Sequence, residues 1–145
     1  MKKLCVFISI LALCAVSLVS CQDQVQQVSG AYSYKISGSV IVDEDTVVLS
    51  DEIGALDIIH VNQDSALLTF NSLLGPVYAT QAQIKGKQIF LTPYKRNLTV
   101  QSKDYAVTVT GNGTIYDKTI LFSLDYADEV NKLTTDTLIM LCKKN

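Results

Sequence analysis

His60 is the only histidine in the chain, so a Ser-His-Asp relay would have to pass through it. It sits in Asp57-Ile58-Ile59-His60-Val61, a strand-like run, and no G-x-S-x-G element supplies a serine for it to activate. His60 therefore reads as a satisfied, partly exposed strand residue. Carboxylates gather in three places: Asp43-Glu44-Asp45, Asp51-Glu52, and Asp125 with Asp128-Glu129. A glycosidase needs two carboxylates facing each other across a sugar, and adjacent carboxylates in turns are solvated instead. Asp43 and Asp45 have calcium-ligand chemistry, but the glycine and terminal glutamate of the regular loop are missing. With Cys5, Cys14 and Cys21 taken up by the N-terminal signal described below, one histidine and one free cysteine, Cys142, do not make the three or four ligands of a zinc site. No phosphate-cradling glycine motif occurs, so no catalytic residue and no cofactor is implied.

Seven tyrosines remain. Tyrosine offers an apolar body and a hydroxyl that needs a partner. Tyr32, Tyr34, Tyr105 and Tyr126 lie on the clearest strand patterns and are the candidate ligand-lining residues. The competing use of the same side chains is to fill a barrel core with their hydroxyls at the rim. The absence of tryptophan counts against a carbohydrate-stacking platform.

The elements that must position these residues are strands. Tyr32, Tyr34, Ile36, Val40 and Val42 share one parity, and Ser33, Lys35, Ser37 and Ser39 take the other, the period of a half-buried strand. The pattern returns in Tyr105, Val107 and Val109, and again in Ile120, Phe122, Leu124 and Tyr126. Weaker strands are expected near 46–50, 55–61, 65–71, 77–84, 88–92, 98–101 and 137–142. Turn residues separate them at roughly ten-residue spacing, among them Asp43-Glu44-Asp45, Gly75-Pro76 and Lys85-Gly86-Lys87. This predicts an all-β domain, a single antiparallel barrel or strongly curved sandwich of about eight or nine strands. The only short helix candidate is 126–133, which a loop explains equally well.

Residues 32–50 align without gaps on 105–123, matching Tyr32 with Tyr105, Gly38 with Gly111, Thr46 with Thr119 and Ser50 with Ser123. Each copy reads as a long strand with a glycine in its middle, a tight turn and a return strand. Glycine inside a strand marks a bulge or sharp bend, which curved sheets require. Gly111-Asn112-Gly113 reads as such a bend or as a hairpin turn; unbroken parity from Val107 to Ile115 favours the bend.

The N-terminus carries a different signal. Lys2 and Lys3 precede an apolar run from Leu4 to Val19, which ends in Leu18-Val19-Ser20-Cys21. Its sixteen residues fall short of the roughly 20 that span a bilayer. A basic start, an apolar stretch and a small residue before the cut form a secretory signal. With a cysteine directly after the small residue, the segment resembles a bacterial lipoprotein signal. The resemblance implies a signal peptide over 1–20, cleavage before Cys21, and acylation of Cys21 as the lipid attachment site. Residues 21–30 would then be the acylated cysteine and a polar, aperiodic tether, and 31–145 the antiparallel β domain. The processed chain of 125 residues carries ten basic and 14 acidic groups, a net charge of −4 with no basic stripe, which argues against nucleic-acid binding. It would leave Cys142 without an intramolecular partner, either a small buried hydrophobe or a reactive thiol.

The lipobox, the tether and one β domain together resemble the small lipoproteins of Bacteroides-type bacteria, several of which have lipocalin-like or calycin-like barrels. Where true lipocalins carry G-x-W near the first strand, this chain reads Gly30-Ala31-Tyr32. The resemblance implies a membrane-anchored protein of the cell envelope, on the outer membrane. The expected role is a non-enzymatic binding module for a small apolar or amphipathic ligand, or an envelope accessory protein. The alternative is a protein–protein module, such as a hydrolase inhibitor or a subunit of an outer-membrane complex.

Overall fold

The computed structural model describes residues 24–145; Cys21 and the segment 1–20 lie outside them. Among these residues one short helix, α1 (Gln24–Val28), precedes ten strands. These are β1 (Gly30–Val42), β2 (Asp45–Val48), β3 (Glu52–Asn62), β4 (Ser65–Ser72) and β5 (Val77–Lys85). They continue as β6 (Gln88–Leu91), β7 (Tyr94–Val100), β8 (Lys103–Tyr116), β9 (Thr119–Asp128) and β10 (Leu133–Lys144). Eight of them close a ring in the order β1, β3, β4, β5, β6, β8, β9, β10, and β10 returns to β1 through an antiparallel ladder from Tyr32–Lys144 to Val42–Leu133. The choice between barrel and sandwich is thus resolved as a closed antiparallel barrel with two extra strands.

The extra strands follow from the length of β1 and β8. β1 pairs with β3 over Gly30–Ile36 and then with β2 over Ser39–Val42. β8 pairs with β7 over Lys103–Val109 and with β6 over Asn112–Thr114. Between β6 and β7 lies Thr92-Pro93, where the proline has no N–H for a ladder. β8 runs unbroken through Gly111-Asn112-Gly113, as the parity indicates. Gly38 marks the place where β1 passes from β3 to β2. Its φ is +146°, and an added Cβ would fall 1.8 Å from the Thr137 carbonyl oxygen. Both hairpins of the internal alignment end in two-residue turns, at Asp43-Glu44 and at Asp117-Lys118. The gapless alignment sets Asp43 against Tyr116, one residue short of the second turn, so the copies share a bent strand but not a register.

Even-numbered residues of β1 and β9 and odd-numbered residues of β8 face inward, as their alternation requires. Tyr32, Leu56, Leu68, Ile89, Phe122 and Met140 are all but sealed from water, so side chains fill the interior. A fully buried Leu or Phe contributes about 1.5–3 kcal/mol. Cys142 is one of these core residues on β10; burial pushes its thiol up to about 12 and keeps it unreactive. Among the described residues, Val25, Val28 and the strands make one core cluster.

Two local expectations are corrected. The stretch read as a tether contains α1, with Val25 and Val28 on one face and both buried. The Tyr32 hydroxyl donates to the Val28 carbonyl at 2.8 Å and the Lys144 ammonium to the Gln27 carbonyl at 3.0 Å, fixing α1 over one barrel end. Five residues with two valines among glutamines are too short to show a helical period. The helix candidate at 126–133 is absent: β9 continues to Asp128, and a turn follows in which Asn131 donates to the Asp128 carboxylate from its backbone N–H and its side-chain amide.

Candidate functional site

The ring has a breach in its wall. The Thr92 N–H donates to the Gln81 carbonyl at 2.8 Å, and the Thr80 hydroxyl to the Thr92 carbonyl at 2.7 Å. Beyond that point β7 is laddered only to β8, and the first half of β5 only to β4. The Tyr78 hydroxyl crosses the gap to the Asn97 carbonyl at a long 3.4 Å. A cleft of about 470 Å³ opens here, lined by Glu52, Leu74, Pro76, Tyr78, Arg96 and Asn97 among others. It faces the end of the barrel opposite α1, beside the loop between β4 and β5.

The floor of the cleft is an ion pair that bridges non-adjacent strands. Arg96 of β7 places Nη2 2.6 Å from Oε2 of Glu52 on β3. Its Nη1 lies 3.4 Å from the other carboxylate oxygen and donates to the Tyr126 hydroxyl at 3.2 Å. The Tyr34 hydroxyl donates to Glu52 at 2.9 Å. Tyr34 reaches it because its strand neighbour on β3 is Gly54, where a Cβ would lie 2.8 Å from the Tyr34 ring. The guanidinium carbon stands 4.7 Å from the Tyr78 ring centre and 5.6 Å from that of Tyr126. Phe70 packs edge-on to Tyr34 and stacks on Tyr94, each at 6.0 Å. The Arg96 side chain is only 8% exposed and that of Glu52 21%. Among the described residues, Arg96 Nε is buried without a hydrogen-bond partner.

Burial opposes the charge of Arg96, but Tyr126, Glu52 and Tyr78 raise its pKa well above the ordinary value. Tyr126 is pushed up to about 12 by its burial, with Arg96 working against the shift and Glu52 for it. Tyr34 and Tyr94 are raised as well, each by burial first. All three hydroxyls therefore stay protonated donors at neutral pH. A tyrosine released by unfolding ionises near 10, whereas folded Tyr126 holds its proton to about 12. The stability this confers is fully present below 10 and drains as pH rises through 12, by roughly 1.4 kcal/mol per pH unit from Tyr126 alone. Denaturant midpoints at pH 9 and pH 11 are expected to show the fall; equal midpoints would contradict the buried placement.

Of the four candidate tyrosines, Tyr34 and Tyr126 meet at this ion pair. Tyr32 lies at the other end of the barrel under α1. Tyr105 is buried opposite Leu98 of β7, with the Lys103 ammonium 4.9 Å from its ring centre. The acidic clusters stay apart: Asp43, Glu44 and Asp45 are exposed in the β1–β2 turn, and Asp51 pairs with Lys35 at 2.6 Å while half-exposed. Asn131 holds the Asp128 carboxyl below its ordinary range. His60 is half-buried on β3. Among the described residues no group of three or more His, Cys, Asp or Glu is placed to hold a metal ion.

Arg96 and Phe70 are not site candidates from sequence, Tyr78 and Tyr94 count there only among the seven tyrosines, and Glu52 stands out only as half of the Asp51-Glu52 carboxylate pair. As an isolated basic pair, Lys95-Arg96 has the sequence character of solvated turn residues, and expecting the strand only from 98 hides the signal. Begun at Tyr94, the period-two pattern sets Tyr94, Arg96, Leu98 and Val100 on the less exposed face and Lys95, Asn97 and Thr99 outward.

Fold and site together define a closed antiparallel β-barrel with a packed interior and an aromatic-walled cleft in its side. Similar solved structures are designed barrels. A redesigned β-barrel superposes with a TM-score of 0.53 at 7% identity, covering 87% of this chain and 97% of its own. EF1p2_mFAP2b bound to DFHBI superposes with a TM-score of 0.54 at 9% identity, covering 87% of this chain and all of its own. These likenesses are of fold. No protein-family model and no curated protein matches the sequence.

Proposed function

We propose that this chain is a membrane-tethered, non-enzymatic binding module that takes a small apolar or amphipathic molecule in the cleft between β5 and β7. The observation that carries the reading is the juxtaposition at that cleft. Leu74 is 99% exposed beside Pro76 on the lip, while Tyr78 and a buried arginine with an unused donor form the floor. Ligand pockets combine apolar area with a few convergent polar groups in this way. The packed core moves the ligand from the barrel axis to the side opening. That one similar barrel is bound to DFHBI is a likeness of fold alone.

The tether rests on sequence. Leu18-Val19-Ser20-Cys21 resembles the signal of a Bacteroides-type lipoprotein, with lipid on Cys21 and attachment to the outer membrane. Chain entering at α1 would leave the cleft at the end facing away from the bilayer. Protein–protein docking is the second reading, favoured by the exposed Val48, Leu73 and Val130 at that same end. Native mass spectrometry of residues 22–145 from their own cell envelope separates the two. A small bound mass that is lost on denaturation is the expected result. A bare chain, or one carrying a protein, would replace the first reading with the second.

A further inference from the structure

We propose that the cleft between β5 and β7 selects amphipaths whose head is an uncharged oxygen acceptor, such as a glyceryl ester or an amide, over anionic and cationic ones. The inference rests on the cleft being a ligand site and names the chemistry of what enters it. Its basis is how the charges there are already committed. The one guanidinium lining the cleft meets Glu52 at 2.6 Å. Asp51 and Asp104 line it too; Asp51 is matched by Lys35 at 2.6 Å, and Asp104 accepts from the Thr99 hydroxyl at 2.6 Å and has no cationic partner among the described residues. Among the described residues, no lysine lines the cleft. An anionic head would therefore find a matched ion pair and one further negative charge.

What the floor lacks is an acceptor. Arg96 Nε is buried without a hydrogen bond, and a buried donor left unmade is costly. A cationic head has no lone pair to offer it, whereas an ester or amide oxygen does. Tyr78 lines the cleft beside Arg96, its ring centre 4.7 Å from the guanidinium carbon and its hydroxyl held by a single 3.4 Å bond to the Asn97 carbonyl. That makes Tyr78 the weakly held wall, and its displacement by the head group exposes the donor. The alkyl portion then lies on Leu74 and Pro76 at the lip.

Three probes with one ten-carbon tail test this: 1-decanoylglycerol, decanoate and decyltrimethylammonium, each below its micellar concentration. Calorimetric titration of residues 22–145 at neutral pH is expected to give the glyceryl ester about tenfold tighter binding than either ion. Arg96→Lys removes Nε and is expected to erase the preference. Asp104→Asn, on an exposed side chain, is expected to strengthen decanoate binding about threefold by removing the unmatched charge. Decanoate binding as tightly as the ester would overturn the head-group inference and leave the cleft as a ligand site. Binding by none of the three would overturn the ligand-site reading with it.

Discussion

Glu52→Ala is expected to destabilise the barrel by about 3 kcal/mol, because it strands the buried Arg96 guanidinium without its carboxylate. The low end of the usual cost of breaking a buried pair applies, since the Glu52 side chain is a fifth exposed. One neighbour suffers as well: the Tyr34 hydroxyl loses its acceptor. The pair's own net contribution is a separate quantity. Desolvation of both charges offsets most of their attraction, so an Arg96→Met, Glu52→Leu double variant is expected to recover nearly all of the loss. Denaturant unfolding of Arg96→Met, Glu52→Leu and the double variant closes the cycle. A double variant no more stable than Glu52→Ala would show that shape, rather than an uncompensated charge, sets the cost. If the double variant folds as well as the parent but no longer carries ligand, the ion pair is retained for recognition.

Gly38→Ala is expected to cost more, about 3–5 kcal/mol, enough to unfold a domain of ordinary stability. Two penalties add. The backbone there has a φ of +146°, which a side chain rarely adopts, and a methyl group would overlap the Thr137 carbonyl at 1.8 Å. The backbone cannot yield freely, because the Gly38 carbonyl accepts the Leu49 N–H at 2.9 Å and the paired β10 bulges at the same level, between Ser39 and Val40. Thermal unfolding by far-ultraviolet circular dichroism checks this directly. Gly86→Ala is the control: an added Cβ has no neighbour within 4 Å, and only the strain of its positive φ remains. Comparable loss at both positions would mean that strain alone, not closure of the barrel wall, accounts for the effect.

The same alternation that made the fold legible concealed half of the site. Tyr32, Tyr34, Ile36 and Val40 announce β1 because every inward position is apolar, and Ile120 to Tyr126 announce β9 in the same way. Tight turns such as Asp43-Glu44 leave little freedom in the connections. Ring closure was not legible, because the β10–β1 ladder joins the two ends of the domain and leaves no local mark. β7 was only partly visible because its inward set includes a charge. Arg96 breaks the apolar rule at the place where β3 supplies Glu52 to neutralise it, and that partner is 44 residues away in sequence. Tyr34 and Tyr126 could be named from pattern alone, but that they meet at this ion pair while Tyr32 caps the far end follows from strand direction. The 24–28 segment fails for another reason: two valines fold a polar stretch only because the open end of the barrel receives them.

The proposed binding module holds its ligand in the breach between β5 and β7 rather than along the barrel axis. Amide hydrogen exchange of residues 22–145, compared between protein as isolated from its envelope and the same protein after extraction of bound molecules, tests it most directly. Faster exchange after extraction is expected in Leu73–Ala79 and Tyr94–Thr99, with β1 near Tyr32 and all of β9 unchanged. Loss of protection spread over the inward strands, or confined to the α1 end around Val28 and Tyr32, would contradict it.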